Sequence, residues 1–250
     1  MIRAVIFGES HTVCLAQALP AGLERLGGIS IHRFAGKRSF AGDGAISMNE
    51  AVALIEHLPP TVPVFLSIMG GYHNLMGLVR QEPNFDFVLK PDAAMADLDF
   101  ATVVPCRAIA DALDFYIQPS SKYLPIRKAA SGPVYLIGTP PPKEQDDFIL
   151  GRFAQANKQN YRGQNVLEIG LNSARLRLKF WELERERSEH WARAHDIAYL
   201  GPPPEAFDAN SFLAERYYED ATHANKDYGA LVLEQILAIA TNIHEDAAHG

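Results

Sequence analysis

The apolar positions of the chain follow two alternating patterns. Short runs such as Ala4-Val5-Ile6-Phe7, residues 62–69 and residues 134–138 are apolar almost throughout and stop at or just before glycine. Runs of that length between turn residues suit strands buried on both faces. Between them lie longer stretches in which apolar residues recur every three to four positions, the period of a half-buried helix. Such alternation marks βαβ units and a mostly parallel sheet. Strands are therefore predicted at 2–7, 29–34, 62–69 and 134–138, with a fifth in the stretch DIAYL that starts at Asp196. Helices are predicted from 12 to about 26, broken or restarted by Pro20, and over 48–57. Further helices are predicted from 100 to about 130 and from 164 to 194, with a last one from 228 to about 242. In the 100–130 segment Pro105 belongs to the first turn and Pro125 kinks or ends the helix.

In the 164–194 stretch Leu167, Leu171, Ala174, Leu178 and Trp181 share one face, and the Arg and Glu residues opposite them read as solvated. The glycine-rich segment AGKRSFAGDGAIS is irregular, and 74–100 shows no clear period. With no repeat and no linker in view, the expectation is a single domain. It is an α/β fold with a five-stranded parallel sheet and helices on both faces.

Composition narrows the function. With 250 residues, 48% of them hydrophobic, the chain can bury one sizeable core. A formal charge of −7 argues against nucleic acid as a partner, since phosphates are bound by basic faces. No run of eighteen apolar residues occurs, so no membrane span is expected. The first residues lack the apolar core of a signal peptide, and a cytoplasmic location is expected. Cys14 and Cys106 both sit in apolar helical patterns and read as reduced core thiols rather than a disulfide.

The candidate chemistry lies at the predicted strand ends, where ligands bind in open parallel sheets. Gly8-Glu9-Ser10-His11 closes strand one, which is normally central in such sheets. Near the other end of the chain Asp220 and His223 stand three residues apart in YYEDATHANKDYG. A serine becomes a useful nucleophile when a base takes its proton. A histidine is the usual base, and a carboxylate fixes its tautomer. The plainer alternative makes Ser10 a helix N-cap and Asp220 and His223 surface residues ahead of a helix.

Taken in order, G-E-S-H at Gly8, G-G-Y-H-N at Gly70 and D-A-T-H at Asp220, followed by Tyr228-Gly229, resemble the SGNH/GDSL hydrolases. The likeness runs from Gly8 to Gly229. It implies a flavodoxin-like fold, a small-molecule ester or thioester substrate and an acyl-enzyme, with no cofactor and no metal. It also implies Ser10 as nucleophile, His223 as base and Asp220 as the orienting acid. An oxyanion would meet the N–H of Ser10 and that of a second-block glycine, Gly42 or Gly44. Two positions depart from the family pattern. Glu9 stands where the family has aspartate, and Tyr72 stands where it has the oxyanion asparagine. Either the Tyr72 hydroxyl donates instead, or the loop bends and brings Asn74 to the hole. Losing one such donor costs roughly 3–4 kcal/mol of transition-state stabilisation.

Two further readings stand beside this one. The Tyr72 substitution fits a binding protein of the same fold that has lost catalysis. His11, His73 and His223, with Glu9 and Asp220, form a residue set that zinc accepts in metal-dependent hydrolases. Other chemistries lack their signatures: the sequence has no G-x-S-x-G elbow, P-loop, complete dinucleotide fingerprint, CxxC pair or HExxH.

Overall fold

The computed structural model describes residues 2–19, 28–34, 45–89, 102–156, 160–161 and 163–249. In chain order the first half comprises β1 (Ala4–Gly8), α1 (Thr12–Ala18), β2 (Ile29–Arg33), α2 (Met48–Glu56), β3 (Val64–Ser67), α3 (Tyr72–Gly77), β4 (Phe85–Asp86), β5 (Thr102–Val103) and α4 (Cys106–Ile117). After a 3-10 segment, Gln118–Tyr123, come α5 (Leu124–Ala129), β6 (Val134–Ile137), α6 (Asp146–Gln155), β7 (Asn160–Tyr161), β8 (Gln164–Asn165), α7 (Val166–Ile169), α8 (Ala174–Ala194), β9 (Ala198–Leu200) and α9 (Lys226–His249).

Five strands form one parallel sheet in the order β2-β1-β3-β6-β9. Counted within that sheet alone the order is 2-1-3-4-5, the flavodoxin-like winding, whose crevice opens where the chain reverses direction between strands one and three. The middle strand is β3, with β1 beside it, so the expectation of a central strand one is off by one place. Gly8 pairs with Ser67, and the carboxyl ends of β1 and β3 therefore finish level at the reversal.

Pleating sorts the core. Ala4 and Ile6 of β1 pack with Cys14 and Leu15 of α1 and Val232 and Ile236 of α9. Val5 and Phe7 face the other way, onto Ala51 and Ile55 of α2, Ile126 of α5 and Ala192 of α8. Both faces of the sheet are thus covered, which is why these strands read as continuous apolar runs. Burying a side chain such as Ile6 or Phe7 is worth about 1.5–3 kcal/mol. Helix α2 starts at a capping box, in which Ser47 and Glu50 bond each other's backbone N–H groups.

Four expectations need correction. The 100–130 segment is not one helix: α4 gives way to the 3-10 segment, and Pro125 lies in the first turn of α5 rather than ending a helix. The missing N–H of proline costs nothing in a first turn. The 164–194 stretch is also two helices, interrupted at Gly170 (φ 82°) through Ser173, whose hydroxyl accepts the Leu176 N–H and caps α8. Cys14 is a buried core thiol as expected, whereas Cys106 opens α4 and is partly exposed.

The fourth correction bears on function. The charged residues of α8 are not all solvated: Arg177, Lys179 and Glu184 are 2%, 9% and 1% exposed. Each is buried with a partner, as buried charge requires. Lys179 bonds both oxygens of Asp86 at 2.9 Å, and Glu184 bonds the ring and backbone of His73. Arg177 pairs with Asp146 at 2.7 Å and donates to the carbonyl oxygens of Lys143 and Glu144. Helix α8 is a half-buried beam carrying polar anchors.

Gly229 sets the distance between α9 and α1. A Cβ there would stand 2.2 Å from the Cys14 carbonyl oxygen, so only glycine lets the helices touch. Gly229→Ala should therefore cost about 1–3 kcal/mol by overpacking against backbone, seen as a lower denaturation midpoint. Among the described residues no helix is long and apolar enough to cross a membrane.

Candidate active site

Ser10 follows β1 by two residues and is exposed at the rim of the sheet. Helix α1 begins just beyond it, yet its N-cap position is His11, and no side chain caps it. Ser10 therefore does not serve as the side-chain N-cap that the plainer reading proposed. The Glu9 carboxyl group is turned elsewhere: it accepts the Tyr123 hydroxyl and Lys122 Nζ, at 3.3 Å from the latter.

Asp220 and His223 lie on the segment that leads into α9. That segment is a closed loop, with Tyr218 bridged to Ala224 and the Glu219 N–H donating to the His223 carbonyl oxygen at 3.2 Å. Asn225 then caps α9, accepting from the N–H groups of Asp227 and Tyr228. Inside the loop one Asp220 oxygen accepts the N–H groups of Thr222 and His223 at 2.8 and 2.7 Å. The His223 ring meets the same carboxylate through Nδ1, at 2.9 and 3.1 Å from its two oxygens. Burial alone would raise the Asp220 pKa, but the hydrogen bonds from the His223 ring, Thr222 and His223 outweigh it and hold the carboxyl well below its usual range. At 39% and 53% side-chain exposure this pair adds little stability. What it does fix is the tautomer: with the proton on Nδ1, Nε2 is left as the acceptor.

Ser10, His11, Cys14, Arg33, Asp220 and His223 all line one cavity of about 290 Å³. The fold thus brings the two ends of the chain to the same wall. No hydrogen bond joins Ser10 to the His223 ring; such bonds are often long until a substrate tightens them. The His11 ring lies beside that of His223, with centroids 5.3 Å apart and planes tilted by 54°.

Across the crevice, Gly71 ends the β3 loop in the left-handed region, at φ 63° and ψ 53°, and α3 starts at once. This bend separates Tyr72 from Asn74. The Tyr72 ring folds over Gly70 and stacks on Tyr116, with centroids 5.9 Å apart. Asn74 Nδ2 returns to within 3.5 Å of where a Cβ on Gly71 would stand. His73 is buried against Glu184, with Nδ1 2.7 Å from its carboxyl oxygen. Gly42 and Gly44 lie outside the described residues. Among the described residues no group of three or more His, Cys, Asp or Glu side chains is arranged to hold a metal ion.

Two residues that support the candidate site escaped the sequence reading. Lys143, in the buried proline-rich loop after β6, donates from Nζ to the His223 carbonyl oxygen at 2.9 Å and lies over the Tyr218 ring. Its own carbonyl is held by Arg177, so the α8 beam supports the His223 loop through this loop. Glu184 is the second. Arg177, Trp181, Glu184, Ser188 and Trp191 share one stripe at helical spacing, and all five are buried. Polar residues on the stripe that carries both tryptophans were the available signal.

Burial pushes the Lys143 ammonium down to about 8, against the pull of Asp220 and Glu219. The unfolded lysine keeps its proton up to a pKa near 10.4, so between the two values the unfolded state binds more protons and stability rises with pH. Folding free energy measured by denaturant titration should rise from pH 8 to 9.5 by on the order of 1–2 kcal/mol more in the wild type than in Lys143→Met. The same variant should loosen the His223 loop, which loses its Lys143 donor.

No protein-family model matches the chain, and none of the curated proteins searched matches it. Solved structures do resemble it. A GDSL-like lipase from Bacteroides thetaiotaomicron is 14% identical, with a TM-score of 0.45 over 95% of this chain and 88% of that one. An extracellular lipase from Streptomyces rimosus is 13% identical, with a TM-score of 0.46 over 95% and 98%. The periplasmic domain of a Salmonella Paratyphi A lipopolysaccharide acetyltransferase is 15% identical, with a TM-score of 0.42 over 94% and 82%. By its own topology and residues, this chain is a flavodoxin-like α/β protein with a histidine–carboxylate pair and an exposed serine at the carboxyl ends of its strands.

Proposed function

We propose that the chain is a serine esterase acting on small esters through an acyl-enzyme. The observation that carries this reading is the tautomer-fixing contact of Asp220 on His223, on the wall of the cavity that Ser10 also lines. Ser10 Oγ attacks the acyl carbon, His223 Nε2 takes its proton and returns it to the departing alcohol, and Asp220 holds the imidazolium in place. The Ser10 N–H and the Asn74 amide meet the oxyanion. The position of Asn74 beside Gly71, with the Tyr72 ring stacked away on Tyr116, favours Asn74 over Tyr72 for this role. Gly42 or Gly44 supplies the remaining backbone donor.

A cavity of about 290 Å³ suits a short acyl group. Hydrolysis of p-nitrophenyl acetate, with a fluorophosphonate probe captured on Ser10, is the expected result. Absence of both turnover and labelling overturns the reading.

A further inference from the structure

One imidazole on the cavity wall has no part in the serine–histidine–aspartate set. His11 directly follows the proposed nucleophile, and among the described residues nothing hydrogen-bonds its ring. One face of that ring meets His223 at 5.3 Å. Its Nε2 lies 3.8 Å from where a Cβ on Gly71 would stand, and Asn74 Nδ2 lies 3.5 Å from the same point. The space that glycine leaves open at position 71 is therefore bounded by two side-chain nitrogens and by His73 Cε1, 3.7 Å away.

We propose that His11 is a catalytic hydrogen-bond donor: its neutral imidazole gives the Nε2–H to the substrate carbonyl oxygen, alongside Asn74, as that oxygen becomes an oxyanion. This assignment rests on the esterase reading above and supplies it with a donor that the family pattern does not contain. In the step, Ser10 Oγ bonds to the acyl carbon and its proton passes to His223 Nε2. The carbonyl π pair moves onto oxygen, where the His11 N–H and the Asn74 amide meet it. On collapse the pair re-forms the carbonyl, the bond to the leaving oxygen breaks, and that oxygen takes the proton from His223. His11 exchanges no proton at any point.

Such a donor must keep its proton and remain uncharged beside a histidine that becomes cationic. Burial pushes the His11 pKa down to about 3, and His223, His73 and Lys143 around it act in the same direction, opposed by Asp220. The ring is thus neutral across the working range. A neutral imidazole used as an electrophile is an established enzymatic device.

The test compares hydrolysis of p-nitrophenyl acetate by the wild type, His11→Leu and His11→Gln, with thermal denaturation as the folding control. His11→Leu should lower kcat about 10²-fold. Its KM should change less than about threefold, because the interaction strengthens only in the transition state. His11→Gln, which retains an N–H donor, should recover at least part of that loss. In the wild type, ¹⁵N NMR should show His11 as the neutral Nε2–H tautomer from pH 5 to 8, a readout that survives if the leucine variant fails to fold. Unchanged kcat in His11→Leu, no rescue by glutamine, or an Nδ1–H or charged His11 ring overturns the assignment while the esterase reading stands. A wild type that neither turns over nor labels at Ser10 removes both.

Discussion

Ser10→Ala should lower kcat by on the order of 10⁴–10⁶-fold, and His223→Ala by a similar factor, while Ser10→Ala/His223→Ala loses no more than either alone. The reason is chemical unity: a nucleophile without its base and a base without its nucleophile both leave only the cavity and the oxyanion donors at work. The structure makes this a clean experiment. The Ser10 side chain is exposed and caps no helix, so its removal should shift folding stability by less than about 0.5 kcal/mol. Single-turnover and steady-state rates with p-nitrophenyl acetate, together with a denaturation curve, separate the two quantities. Additive losses in the double variant would mean that the residues do not act on one proton.

Glu184→Ala should produce the largest loss of stability, about 3–5 kcal/mol, the usual result of removing one partner from a buried hydrogen-bonded pair. Glu184 is 1% exposed and takes both the ring and the backbone N–H of His73, 111 positions away in sequence. Its loss leaves those donors buried without an acceptor, and each unpaired group costs about 1–3 kcal/mol. For a chain of this size, the fall in Tm should be roughly 10 °C, at 2–4 °C per kcal/mol. Glu184→Gln, which keeps an acceptor, should lose less. Because Glu184 ties α8 to α3, and α3 carries Asn74, the alanine variant should also show a lower kcat below its unfolding transition. An unchanged Tm would mean that the pair is dispensable to the packing of α3 on α8.

Local pattern was enough to locate the sheet. A run such as Ala4–Phe7 has one stable use in a chain of this composition, a strand covered on both faces, and it names itself without reference to anything distant. Boundaries were less legible. Pro125 and Gly170 act within one turn, yet whether a proline starts a helix or stops one depends on the packing on either side. The 35–44 segment, with Gly42 and Gly44, lies outside the described residues.

The residue types of the candidate site were likewise present in the sequence: a serine at a strand end, and an aspartate three positions before a histidine. Tertiary structure decided how each is used. It turned the Gly71 loop so that Asn74 comes back and Tyr72 stacks away, put His11 near both His223 and Gly71, and ran Arg177, Lys143 and the His223 carbonyl oxygen together as one support. It also buried charges on α8 that the pattern left in water. The difference has one physical cause. Hydrophobic period is a property of neighbours along the chain, whereas the cost of burying a polar group depends on whether a partner from a remote segment meets it, and only the folded chain supplies that partner.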